Sequence, residues 1–274
     1  MQKLSGNITD KVKALRARAE KSSGGVNTTE TLSGDGFYRK FFHYTLASTA
    51  SLARLSFPQS CLVCNRLANS SICCNCYEWL PFNVVACRIC AKSQPASQSE
   101  KVCGECLVNT PLAERTISVF RYHPPIIDLI QRMKYAGGFP ELKTLATHLS
   151  DHVSQVIEDV PEVILPVPLH AKKQRQRGYN QSHEICRHVS ADLGIPTDRN
   201  VLRRVKNTSS QAGLTEIQRT INMRSAFDAT NPKSYRHVGL VDDVITSGST
   251  VRSAMMALKR SGIKRIQVWS IAKT

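Results

Sequence analysis

The sequence predicts an α/β fold, a parallel sheet flanked by helices, with a small cysteine-rich module in front of it. Three observations carry this. From about residue 116 onward, short apolar runs alternate with amphipathic stretches of helical length, the pattern of a parallel sheet covered on both faces. One of those runs, V-G-L-V at 238–241, carries no charge, as a strand buried on both sides should not, and leads directly into D-D-V-I-T-S-G-S-T ending at Thr250. Ahead of this part, eight of the ten cysteines form four C-x-x-C pairs within a short stretch.

Taken in order, residues 1–40 are basic and rich in Ser, Thr and Gly, with too little apolar surface to repay the entropy of ordering, and are expected to be a disordered tail. Residues 41–57 place Leu46, Leu52 and Leu55 in an amphipathic helix that is too short and too polar to span a bilayer. No apolar core of a secretory signal follows the early lysines, so no transmembrane segment is expected and a reducing, cytoplasmic setting is.

Residues 58–110 hold the pairs Cys61/Cys64, Cys73/Cys76, Cys87/Cys90 and Cys103/Cys106. Each knuckle turns two thiolates towards one point, and two knuckles complete a tetrahedral zinc site, so four imply two structural zinc ions. A segment this short and this poor in large apolar residues needs such a staple to fold. Sequence order leaves two pairings open: first with second and third with fourth, or an alternating cross-brace. Cys74, inside a knuckle, reads as a bystander, and Cys186, in a predicted helix, as a small core residue.

Residues 111–274 form the α/β part. Helices are predicted over 126–135, 142–157, 182–193 and 250–261, and strands over 163–167, 238–241 and 266–271. The strand ending at Val241 places Asp242 and Asp243 at its C-terminal edge, where ligands of open α/β sheets sit, and two carboxylates there can accept hydrogen bonds from a vicinal diol. Thr246, Ser247, Gly248, Ser249 and Thr250 then make a turn that opens a helix and offers hydroxyls, backbone N–H groups and the positive end of the helix dipole to a phosphate. A second anion-binding element follows the strand over 163–167: Pro168, Leu169 and His170, then Lys172, Lys173, Arg175 and Arg177 before Gly178. Between 201 and 227 the first half shows no strand or helix pattern and reads as a lid, in which Lys206 or Arg204 could stabilise charge on a departing group; Thr215 then reads as a helix N-cap.

The run 238–250 resembles the 5-phosphoribosyl 1-pyrophosphate (PRPP) motif of type I phosphoribosyltransferases. Together with the P-x-x-C-x-x-C opening (Pro58, Cys61, Cys64), Lys134–Tyr135, V-P-L-H, R-G-Y-N-Q, Thr208 with Gln211, and Arg219 with Asn222, it is similar to the ComF family of competence and DNA-utilisation proteins from about residue 57 to the C-terminus. That resemblance implies a type I phosphoribosyltransferase-like domain behind a zinc module, PRPP as ligand with Mg²⁺ screening its pyrophosphate, and a role in natural transformation or the use of external DNA. It also implies that the position occupied by an acidic base in purine-salvage relatives is here Thr246, which disfavours 6-oxopurine transfer. Pentosyl transfer from PRPP and PRPP sensing without turnover both stay open.

Formal net charge is +16. Residues 111–274 hold 24 basic and 14 acidic side chains, a surplus of 10, part of which must face an anionic ligand. The remainder, including Lys259, Arg260, Lys264 and Arg265, suits a phosphate backbone and makes single-stranded DNA a candidate partner. The module has four basic and three acidic residues; eight thiolates and two Zn²⁺ would take it from +1 to −3, which argues against gripping DNA by charge alone and suits docking to a DNA-uptake or helicase protein at least as well.

Overall fold

The computed structural model describes residues 59–95, 102–109, 111–135, 137–169, 171–205, 226–231 and 233–274, with the side chains of 171–173 excepted. The expected tail (1–40), the helix over 41–57, His170, Lys206, the helix starting at Thr215 and the motif residues Thr208, Gln211, Arg219 and Asn222 lie outside the described residues.

The centre is a parallel sheet of four strands, β3 (Arg115–Arg121), β4 (Val163–Pro166), β7 (His237–Ile245) and β8 (Arg265–Lys273), in the order β3-β8-β7-β4. Register is set by pairs such as Ile117 with Trp269, Leu240 with Val268 and Leu165 with Leu240. Both faces are covered, as the near-continuous apolar strands require. On one face Ile164, Val241, Trp269 and Ile271 pack against α3 (Ile126–Lys134), α4 (Phe139–Val156) and α6 (Gln181–Leu193). On the other, Leu165, Leu240 and Val268 pack against α7 (Ser249–Arg260) and the antiparallel pair β5 (Leu202–Arg204) and β6 (Phe227–Ala229).

Helical spacing produces those faces. In α3 the buried residues are Ile126, Leu129, Ile130 and Met133, and in α7 they include Val251, Ala254, Met255 and Leu258, each set recurring every three or four residues. α6 starts on Asn180, whose side chain accepts the Ser182 N–H, and stops at Gly194 in the left-handed region at φ 71°. Gly239 in β7 serves close approach: a Cβ there would stand 3.1 Å from Ile164 Cγ2 and 3.4 Å from Trp269.

The cysteine module, which opens on the short antiparallel pair β1 (Gln59–Ser60) and β2 (Leu67–Ala68), continues the sheet at its β3 edge. Asn83 N donates to Val119 O and Arg121 N to Pro81 O, both at 2.8 Å, around an antiparallel bridge from Phe82 to Phe120. Phe82, Tyr77 and Phe120 then form an aromatic group with the buried His148 of α4, and Cys61, Ile72 and Leu80 belong to the same core as α3 and α4. The module therefore covers a strand edge that would otherwise be open to pairing.

Three local expectations change. β3 is a strand that the pattern of 115–121 does not announce. The lid stretch contributes a short strand, β5, whose partner lies more than twenty residues downstream, too far for local periodicity to show. The basic stretch after Leu169 folds as a helix, α5 (Ala171–Arg177), which the sequence pattern does not announce.

Candidate functional site: the crevice at the sheet edge

β7 is longer than its uncharged segment. It runs on through Ile245 because β8 continues to pair with it: Asp242 stands opposite Ser270 and Val244 opposite Ala272. β4 stops at Pro166, opposite Val241, with Val167 N donating to Val241 O. Asp242 and Asp243 thus lie inside a strand on the β8 side and beyond the sheet edge on the β4 side. The expected placement after the strand is corrected accordingly, and the crevice opens where β4 ends.

Each carboxylate has a partner. Asp242 Oδ1 accepts from Ser182 Oγ at 3.1 Å and from the Asp243 N–H at 3.0 Å. Asp243 Oδ2 pairs with Lys134 Nζ at 2.8 Å, both side chains being largely buried. Burial, with the neighbouring Asp243 charge, pushes Asp242 up to about 8, against the pull of the Asp243 N–H, Ser182 and Lys134. Neither Lys134 nor Ser182 is among the residues expected from the sequence to form the site; Lys134 reads locally as the basic last turn of a helix, and only the tertiary fold carries it to the crevice.

The turn after β7 has the expected build. Gly248 takes φ 74°, a conformation that favours glycine, and caps α7 without a side-chain hydrogen bond. The first turn of a twelve-residue helix therefore presents backbone N–H groups with Ser247 and Ser249 beside them, their hydroxyls 3.0 Å apart. Lys273 Nζ donates to Thr246 O at 2.7 Å and fixes the turn to the end of β8.

Other expected residues are placed as follows. Pro168 and Leu169 follow the end of β4 at the crevice and are half-buried. Arg175 is exposed on α5, while Arg177 lies over the Tyr135 ring at 5.6 Å and donates to Gln181 Oε1 at 3.1 Å. Arg204, in β5, stacks on Phe227 at 5.2 Å, and burial lowers its pKa from the ordinary guanidinium value against the opposing pull of the Asp242 charge. Gln181, 1% exposed, keeps its Nε2 without a partner among the described residues.

The eight cysteines resolve into Cys61, Cys64, Cys73, Cys76 and Cys87, Cys90, Cys103, Cys106, so knuckles pair first with second and third with fourth. Within each group the sulfurs lie within 4.8 Å of one another, and Cys64–Cys73 and Cys90–Cys103 are 3.8 and 3.7 Å apart. A tetrahedron of sulfurs at about 2.3 Å from zinc has edges of about 3.8 Å, so both groups fit that ion. Backbone N–H groups aim at sulfur in both: Cys73 N to Cys61 Sγ and Cys103 N to Cys87 Sγ, each at 3.3 Å. Burial alone would raise Cys61, but N–H groups of Cys64, Cys73 and Val63 hold it down to about 6, in the range where a thiolate ligates readily. Cys74 belongs to neither group.

A parallel core whose edge holds an aspartate pair beside a Ser/Thr/Gly turn on a helix N-terminus defines a type I phosphoribosyltransferase-like protein, here carrying two four-cysteine groups. The chain belongs to the ComF family. It is 31% identical over 227 residues to the DNA utilization protein YhgH of Escherichia coli K12, covering 80% of this chain and 99% of that protein. It is 38% identical over 178 residues to competence protein F of Haemophilus influenzae (62% of this chain, 78% of that one) and 25% identical over 183 residues to competence protein ComFC of Bacillus subtilis (64% and 72%). No family model matches. Among solved structures, glutamine PRPP amidotransferase from B. subtilis is similar at 20% identity and a TM-score of 0.33, over 47% of this chain and 25% of that one, a likeness too loose to bear on ligand or activity.

Proposed function

We propose that the protein binds PRPP with Mg²⁺ in the crevice and acts in the cytoplasm on incoming single-stranded DNA during uptake and utilisation. The observation that carries the first half is the convergence of Asp242, Asp243, Ser182 and Lys134 with the 246–250 turn at one sheet edge. The turn, with N–H groups at a helix N-terminus, would hold the 5-phosphate, and the carboxylates the ribose hydroxyls and, through PRPP oxygens, Mg²⁺. Arg204 and Gln181 would face the pyrophosphate together with the loop after β4. The DNA half is supported by the relatives' names and by the basic surplus of residues 111–274.

Each half has its own test. Saturating Mg²⁺–PRPP should raise the Tm of the zinc-loaded protein by several degrees, since ligand at about a hundred times Kd adds roughly 2.7 kcal/mol, and Ser247→Ala/Ser249→Ala should reduce the rise. An unmoved Tm contradicts the PRPP half. Fluorescence anisotropy with labelled single-stranded DNA over a KCl series should show steeply salt-dependent binding; absent or salt-insensitive binding contradicts the DNA half.

A further inference from the structure

The basic cluster at the end of α7 is a poor track for DNA. Arg265 Nε lies 2.7 Å from Glu114 and its Nη1 2.5 Å from Asp159, and Lys259 donates to the Lys264 carbonyl. Arg265 also begins β8, which places this cluster at the opposite end of the sheet from the crevice. Beside the crevice, by contrast, three aromatic rings gather on one surface. Tyr135 is 56% exposed and Phe139 59% exposed, although both belong among the residue types that folding usually hides. Phe139 stacks on Tyr179 with ring centres 5.9 Å apart and planes 23° from parallel, and Arg177 lies over Tyr135.

The rings are held in place. Tyr179 donates its hydroxyl to the Met133 carbonyl, tying the start of α6 to the end of α3. Gly138 permits the tight turn between Tyr135 and Phe139, since a Cβ there would lie 2.4 Å from Arg132 O. The nearby carboxylate of Glu141 is committed to Arg132 at 2.8 Å, and Glu184 to Arg187 at 2.7 Å, so negative charge at this surface is compensated. An open hollow of about 420 Å³, bordered by Gln131, Tyr135 and Pro140, lies against Tyr135. Lys134, next to Tyr135, reaches Asp243 and marks the adjoining crevice wall.

We propose that Tyr135, Phe139, Tyr179 and Arg177 form a stacking platform for the unpaired bases of a DNA single strand passing the mouth of the crevice. The inference rests on the single-stranded DNA reading above and gives it a location. Exposed ring faces stack on any base whose own face is free, which selects single strands over duplex, while Arg177 and the exposed Arg175 supply charge for the phosphates. The rings stand open on a surface, as a passing strand needs, and do not enclose a monomer.

The test uses the full zinc-loaded chain and an oligothymidylate carrying one 2-aminopurine. Binding should quench the probe. Tyr135→Leu and Phe139→Leu, which keep apolar area but remove the ring, should each weaken binding about tenfold without changing its salt slope, whereas Tyr135→Phe should bind as wild type does. A duplex of the same sequence should bind weakly and indifferently to these substitutions. Wild-type affinity in both leucine variants overturns the platform and leaves the DNA reading standing; absence of binding by wild type overturns both. Equal affinity for thymidine monophosphate would also overturn the platform as a strand site.

Discussion

The two four-cysteine groups are built alike and packed differently. In each, the residue four positions after the first cysteine takes the left-handed conformation, Asn65 at φ 60° and Ala91 at φ 57°, and donates its N–H to that cysteine's carbonyl. In each, the first cysteine N–H bonds the carbonyl five residues on, and the third cysteine starts a five-residue helix, α1 (Cys74–Glu78) or α2 (Gly104–Val108). The first knuckle of the second group repeats that of the first at an offset of 26 residues and the second knuckle at 30, with Ser60 paired to Leu67 as Ala86 is to Ser93. Their surroundings diverge: the first places Cys61, Ile72, Leu80 and Tyr77 in the core shared with α3 and α4, whereas the helix of the second leaves Leu107 74% and Val108 86% exposed. Identical local chemistry thus holds the sheet in two ways: the first group sends side chains into the core under α3 and α4, and the second bonds its first knuckle to β3, Thr116 N donating to Arg88 O at 2.9 Å and Thr116 Oγ1 to Ile89 O at 2.5 Å.

Metal removal should produce the largest effect. Elemental analysis should find two Zn per chain, and a chelator should lower the Tm sharply, since structural zinc contributes on the order of 10 kcal/mol to small folds. Cys61→Ser/Cys73→Ser should destabilise the sheet domain as well, by loosening the shared core, while Cys87→Ser/Cys103→Ser should leave protection of the α4 amides in hydrogen exchange much closer to wild type and lower chiefly that of the Thr116 amide, which donates to Arg88 O. Equal loss of protection in the two double variants would erase the distinction.

Next in size is Phe120→Ala. This ring is fully buried between Phe82 and His148, so the substitution should cost about 3–5 kcal/mol in denaturant unfolding and weaken the module's hold on β3.

Some of this was legible from residues alone, and the failures have physical reasons. Four knuckles announce two metal sites because thiolate pairs have one common use at that spacing, yet the pairing needed coordinates, since spacing does not say which knuckles meet. The helices were readable because Ile126, Leu129, Ile130 and Met133 recur at helical intervals over nine residues. β5 and β6, of three residues each, are too short to show a period, and their pairing is non-local. The turn at 246–250 was readable because glycine, hydroxyls and a helix start coincide. The strand runs four residues past the Val241 at which its uncharged pattern stops, because charge usually ends a buried strand but here β8 continues alongside and Lys134 and Ser182 compensate the carboxylates of Asp243 and Asp242.

A smaller effect concerns acid. Burial pulls His148 down to about 4 from an ordinary value near 6.5, and His152 behaves likewise. Between those values the unfolded chain binds a proton that the folded chain refuses, so stability is fully present above pH 6.5 and falls as pH drops towards 4, by up to a few kcal/mol per histidine. His148→Phe should flatten that fall in urea unfolding at pH 7 and pH 5; an unchanged slope would place the acid sensitivity elsewhere. The smallest expected effect is Gly239→Ala, about 1–3 kcal/mol, because Ile164 and Trp269 must give way by a few tenths of an ångström.

The crevice, not the module, is the proposed seat of the ligand. That placement is tested most directly by calorimetric titration of Mg²⁺–PRPP into the zinc-loaded protein, beside Asp242→Asn/Asp243→Asn. Saturable binding near one equivalent is expected for the wild type, and its loss, by at least tenfold in affinity, for the variant. No heat of binding to the wild type, or undiminished binding to the variant, would contradict it.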